Sequence, residues 1–224
     1  MKPEDQEFES LEQMAAATAA ALDHAANHFA FEFFQDNQFR RRANFDRLPT
    51  GEHDRIFNEL VVANLVLIML ILEAPDLRVA DELKPFLRDI QTNLPQAHVR
   101  ELEKLGITGE HLAMWAKLIE MRYEEYAKDR HSVRAAAMQL ESAEKELDLE
   151  DLSKIQLLVP VQAVAIGCHH HVCRGEVEGR DELFKLIVRS LGKFYVQIRL
   201  LLEVGKITPM MRVRVAWKRL LRSD

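Results

Sequence analysis

Two stretches of the chain, 60–72 and 155–167, are apolar around the whole circumference of a helix and not along one stripe. A helix of that kind has no face to offer water and must be covered on every side. The expected fold is therefore all-α: a single multi-helix globular domain with two central apolar helices wrapped by amphipathic ones. Each run is 13 residues long, and Asn58, Glu59, Asn64 and Glu73 punctuate the first. A bilayer span takes about 20 apolar residues. Both runs are read as core helices, and an integral membrane protein is not expected.

The 224 residues suffice for one sizeable core. Eight glycines and seven prolines leave room for few tight turns, which favours long helices over sheets. No segment alternates like a strand, and no repeat or low-complexity linker divides the chain, so residues 1–224 are taken as one domain. The two cysteines, Cys168 and Cys173, lie five residues apart. That spacing excludes a disulfide framework and suits a reducing, cytoplasmic setting. The acidic start, Met1–Ser10, carries no apolar stretch of the kind a signal peptide needs.

Capping residues and periodicity place the elements. A first helix is expected from about Glu4 to about Arg42, with Leu11, Met14, Ala15, Thr18, Leu22, Ala25 and Phe29 as its stripe. Thr50 is a natural cap for the first central helix, which ends near Glu73. Pro95 reads as the first turn of another helix that Gly106 closes. Thr108 caps a helix to about Arg130, and Ser132 restarts one with Val133, Ala136, Leu140, Ala143 and Leu147 as a narrow seam. Asp148 or Asp151 caps the second central helix, which reaches about Cys173. Asp181 caps the next, and Thr208-Pro209 opens a basic amphipathic C-terminal helix near 209–222.

Five of the six residues in Cys168-His169-His170-His171-Val172-Cys173 are metal-ligand types. On a helix His169 and Cys173 are four apart, and His170 and Cys173 three apart, so either pair can share a metal such as zinc or iron. The paired CxxC spacing of a structural zinc site is absent, so further ligands would have to come from elsewhere, for example His24, His28 or Glu32. Otherwise the histidines simply favour a helix C-terminus, and the cysteines behave as small apolar side chains. His24, His28 and Glu32 share one helical face, yet Glu-x-x-His, the mark of a binuclear iron bundle, occurs nowhere; a solvated face is the plainer reading. Pro160 disfavours a straight helix, and with Asn64, Gln156 and Gln162 it could frame a polar pocket. His98 reads as a surface histidine. No nucleophile–base pair and no phosphate-binding loop is present, which points away from an enzyme.

Charge is distributed unevenly. Residues 1–151 hold 17 Lys/Arg against 30 Asp/Glu, and residues 152–224 hold 13 against 6. Within Met210–Arg222, Val213, Trp217, Leu220 and Leu221 make an apolar stripe, and Arg214, Lys218 and Arg222 a basic one. Such a helix packs on the acidic half of its own protein, docks on a protein partner, or binds nucleic acid or an anionic membrane surface. Arg214, Trp217, Lys218 and Arg222 are the candidate partner-binding residues. Seven of the 11 phenylalanines fall in Phe8–Phe45, more apolar surface than one helix usually buries on its own core, and a homodimer is expected on that ground. The sequence supports a non-enzymatic cytoplasmic interaction or regulatory protein acting through helical surfaces. Its alternative is a small-ligand or metal-binding helical sensor using the region around Pro160 and His169–Cys173.

Overall fold

Every residue from Leu60 to Leu72 is buried, so the first apolar run is covered on all sides. It forms the second half of helix α3 (Thr50–Leu72), against which α1 (Leu11–Gln35), α4 (Lys84–Lys104), α5 (Glu110–Glu144), α6 (Leu149–Val172) and α7 (Glu182–Glu203) all pack. A short helix, α2 (Asn37–Arg42), follows α1. The computed structural model describes residues 10–144, 146, 148–174 and 181–203. Among them the fold is all-helical, with seven helices and no strand. Helices α3 and α6 are long and apolar enough to cross a membrane by length and composition alone. The most apolar window of α3, however, is 83% buried inside the protein, and that of α6 is 56% buried.

Helix α6 departs from the expectation that both central helices are enclosed. Val159, Val161, Ala163, Val164, Ala165 and Cys168 are buried, but Leu152, Leu157, Leu158 and Ile166 are exposed. Its buried side faces α3, while α5 and α7 flank it without closing over the other side. The C-terminal half of α7 turns its apolar face elsewhere: Phe194 meets Phe29 of α1, and Arg199 holds Asp76 just beyond α3.

Several boundaries differ from the sequence expectation, each for a local reason. Ser10 is extended and accepts a hydrogen bond from the Gln13 amide, so α1 starts at Leu11. Asp36 breaks the expected long first helix: its backbone is extended, and its carboxylate accepts from the Gln38 and Phe39 amides at 2.7 and 2.9 Å. Pro95 lies inside α4 rather than at its start, and Pro85 occupies the first turn. Burial of Phe86, Leu87, Ile90, Leu94 and His98 along that helix holds it together despite the missing amide. Helix α5 runs through Ser132 without a restart, because the Ser132 hydroxyl bonds back to the Asp129 carbonyl at 2.9 Å and does not cap a new helix. Asp148 is the cap of α6, in a reciprocal capping box with Asp151.

The phenylalanines of α1 and the turn after it meet one another and α3. Phe33 contacts Phe39, Phe34 contacts Phe45 and Phe57, and Phe39 contacts Phe45, with ring centroids 4.4–5.8 Å apart. Phe39 and Phe45 are buried, and only Phe31 of this set is largely exposed, at 52%. Most of the aromatic surface that suggested a dimer is taken up within the chain.

Candidate functional site

Asp23, His98 and Asn64 are polar side chains inside the protein that fasten one helix to another. His98 is buried, at 2% exposure, and its Nδ1 lies 2.8 Å from Asp23 Oδ1, which corrects the reading of a surface histidine. Asp23 is itself buried and also accepts from Asn27 Nδ2 at 3.0 Å, so the pair ties α1 to α4. Trp115 of α5 lies edge-on to the His98 ring. Sequence distance hid this pair, because 75 residues separate its members. Asn64 donates to the Ala26 carbonyl at 3.0 Å and makes no cluster with Gln156 or Gln162. His24, His28 and Glu32 lie on an exposed face, where His28 sits 3.5 Å from Glu32.

A second fastening joins α3, α5 and α6. Arg122 bridges Glu59 and Glu125, and Glu125 in turn meets His171 Nε2 at 3.0 Å. Arg55 donates to the last carbonyls of α6, those of His171 and Val172, at 2.6 and 2.9 Å. These bonds satisfy acceptors that a helix C-terminus leaves open. Tyr123 donates to Glu73 at 2.6 Å; burial and that carboxylate push its phenol up to about 12.

The Cys-His tract is distributed over different surroundings. His169 is buried, lies edge-on to Phe184, and its Nε2 is 3.1 Å from Asp181 Oδ1. His170 is exposed, and Cys173 is exposed on the residue that ends α6. Burial pushes the Cys168 thiol well up and raises that of Cys173, which the Asp181 carboxylate raises further. The structure brings His169 to Asp181, and among the described residues no three His, Cys, Asp or Glu side chains converge as a metal-ligand set.

The exposed side of α6 forms the floor of a groove of about 880 Å³. Val133, Ala136, Ala137 and Leu140 of α5 make one wall, and Phe184 and Val188 of α7 make the other. Ile155, Leu158, Gln162 and Ile166 lie between them. The seam expected on the second half of α5 therefore borders an open groove and not a closed interface. Leu140, Leu158 and Ile166 remain 60%, 53% and 46% exposed, far from core values. The polar lining includes Lys185 and Arg189 on the α7 side, His169 and His170 of α6, and Glu141 on the α5 side. Of the residues around Pro160 and His169–Cys173 that the sequence singled out, Gln162, His169 and His170 line the groove, whereas Asn64, Gln156, Pro160 and Cys173 do not. The sequence did not reveal the α7 wall, which only the tertiary fold supplies.

Arg214, Trp217, Lys218 and Arg222, the candidate partner-binding residues, lie outside the described residues. Comparison with protein-family models, with curated proteins and with solved structures found no match.

Proposed function

We propose that this chain is a non-enzymatic cytoplasmic interaction or regulatory protein whose binding face is the groove between α5, α6 and α7. The observation that carries this reading is the apolar floor left open along α6, with Leu158 and Ile166 exposed between two helical walls. Such apolar side chains left open between helical walls are available to a partner or ligand. A groove lined by apolar side chains of three helices is the kind of surface that receives an amphipathic helix from a partner.

A second reading has its own support. The groove volume falls within the roughly 300–1,000 Å³ range of small-molecule sites. His170, Lys185 and Arg189 on the rim suit the anionic head of a ligand whose body is apolar.

Anilinonaphthalene sulfonate, an apolar anion, probes the groove under either reading. Saturable binding to the full chain is expected. Leu158→Glu or Ile166→Glu places a carboxylate in the floor at an already exposed position, so helicity should hold while dye affinity falls by about tenfold or more. Dye binding that neither substitution affects would contradict the reading.

A further inference from the structure

We infer that the α5–α6–α7 groove takes a single-headed amphiphile, a long-chain monocarboxylate, lying along α6 with its carboxylate at the His169–Arg189 end and its tail toward Leu140 and Ile155. The inference rests on the groove being a binding face, and it names the class of ligand and the direction in which that ligand lies.

The groove is polar at one end. Gly167 of α6 lies against Tyr126 of α5, and His171 meets Glu125, so the two helices run antiparallel. Glu141 stands about 22 Å beyond Tyr126 along α5, and therefore beside the Ile155 end of α6. Phe184 lies edge-on to His169, which places the start of α7 at the opposite end. Lys185 and Arg189 follow within about 8 Å along that helix. Between the ends, Leu158 and Ile166 of the floor and Ala136, Ala137 and Leu140 of the α5 wall carry no charge.

The polar end has one cation left for a ligand. Lys185 holds Glu182 at 2.6 Å, whereas among the described residues Arg189 has no ion pair. One such guanidinium matches one negative charge, and its fork of donors fits a carboxylate. His169 lines the same end and is buried. Its Nε2 lies 3.1 Å from Asp181 Oδ1 but out of line for a hydrogen bond, and that oxygen already accepts the Phe184 amide at 2.7 Å. A buried polar atom left unmet in this way calls for a partner from outside the chain. The carbonyls of His171 and Val172, whose partial charge would repel an anion, are taken by Arg55. Glu141 repels a second negative charge at the far end, so the ligand has one charged head and one orientation. Length agrees as well. The floor from Ile166 to Ile155 is about 17 Å long. An extended twelve-carbon chain has the bonds of about four extended residues, about 14 Å.

Dodecanoate, held below its micellar concentration, tests this by calorimetric titration of the full chain. It should bind saturably, displace anilinonaphthalene sulfonate, and bind about tenfold or more tightly than dodecyltrimethylammonium. Arg189→Glu, at an exposed position, should weaken dodecanoate by about tenfold or more and change the affinity for dodecanol by less than about twofold. Glu141→Lys should strengthen dodecanedioate several-fold and leave dodecanoate unchanged, because only the second carboxylate reaches that end. Dodecanoate that fails to bind, or binds no more tightly than the cation, would overturn the inference. In that event dye binding still lost in Ile166→Glu would leave the groove in place as a face for another partner. An equal gain for dodecanoate and dodecanedioate in Glu141→Lys would overturn the orientation.

Discussion

At Gly167 the α6 backbone lies directly against the Tyr126 ring of α5. A Cβ built there would overlap the edge of the fully buried Tyr126 ring, far inside contact distance of Cε1 and Cδ1. Gly167→Ala should therefore cost on the order of 1–3 kcal/mol through overpacking, read as a lower midpoint in denaturant. No melting change would mean that the Tyr126 ring moves aside freely. The Asp23–His98 pair belongs to the same scale. Asp23→Ala strands a buried imidazole nitrogen and should cost about 3 kcal/mol, as breaking a buried pair does. His98→Ala on top of it should cost little more, since the two side chains act as one contact. Neither position was legible beforehand. Gly167 looked like one small residue in an apolar run, and the Asp23 partner is distant in sequence.

At the scale of elements, α3 shows why all-round apolarity is informative. Leu65, Val66, Leu67 and Ile68 have no exposed surface, and five helices are needed to achieve that. Leu67→Asp places an unpaired carboxylate where no partner or water reaches it, and it should abolish folding. A soluble L67D protein with unchanged circular dichroism would contradict the packing. The same reasoning applied to α6 predicted enclosure, and only part of that helix is enclosed. Periodicity reports what a helix needs covered and not which element covers it. The capping residue Asp148 was legible because its hydrogen bonds are local. Ser132 misled because the same hydroxyl can bond backward inside a helix. Where α5 meets the end of α3, the Tyr123 phenol is raised to about 12 from an ordinary value of 10. A raised phenol means that the fold favours the neutral form. That contribution is complete below pH 10 and is lost as pH rises through about 12. The stability difference between the wild type and Tyr123→Phe should shrink across that window, and a difference independent of pH would contradict the contact with Glu73.

For the whole molecule, charge asymmetry and exposed apolar surface set the expectations. The homodimer expected from phenylalanine content remains a proposal, for which Phe31 of α1 and Val196, Leu200 and Leu201 of α7 are the exposed apolar side chains such a contact would use. Light scattering at high micromolar concentration should show twice the chain mass, and a mass near 25.9 kDa would count against it. The groove became visible only when α7 was placed beside α5 and α6, because its walls come from segments about 50 residues apart in the chain, at 133–140 and 184–188. Its most direct test is amide mapping of the full chain with and without anilinonaphthalene sulfonate. Perturbed or protected amides should cluster on residues 132–141, 155–170 and 184–189, the three helical segments that line it. Perturbations gathered elsewhere, such as around Gln38, Arg41 and Arg42 beside Leu186, or spread without pattern, would contradict the groove as the binding face.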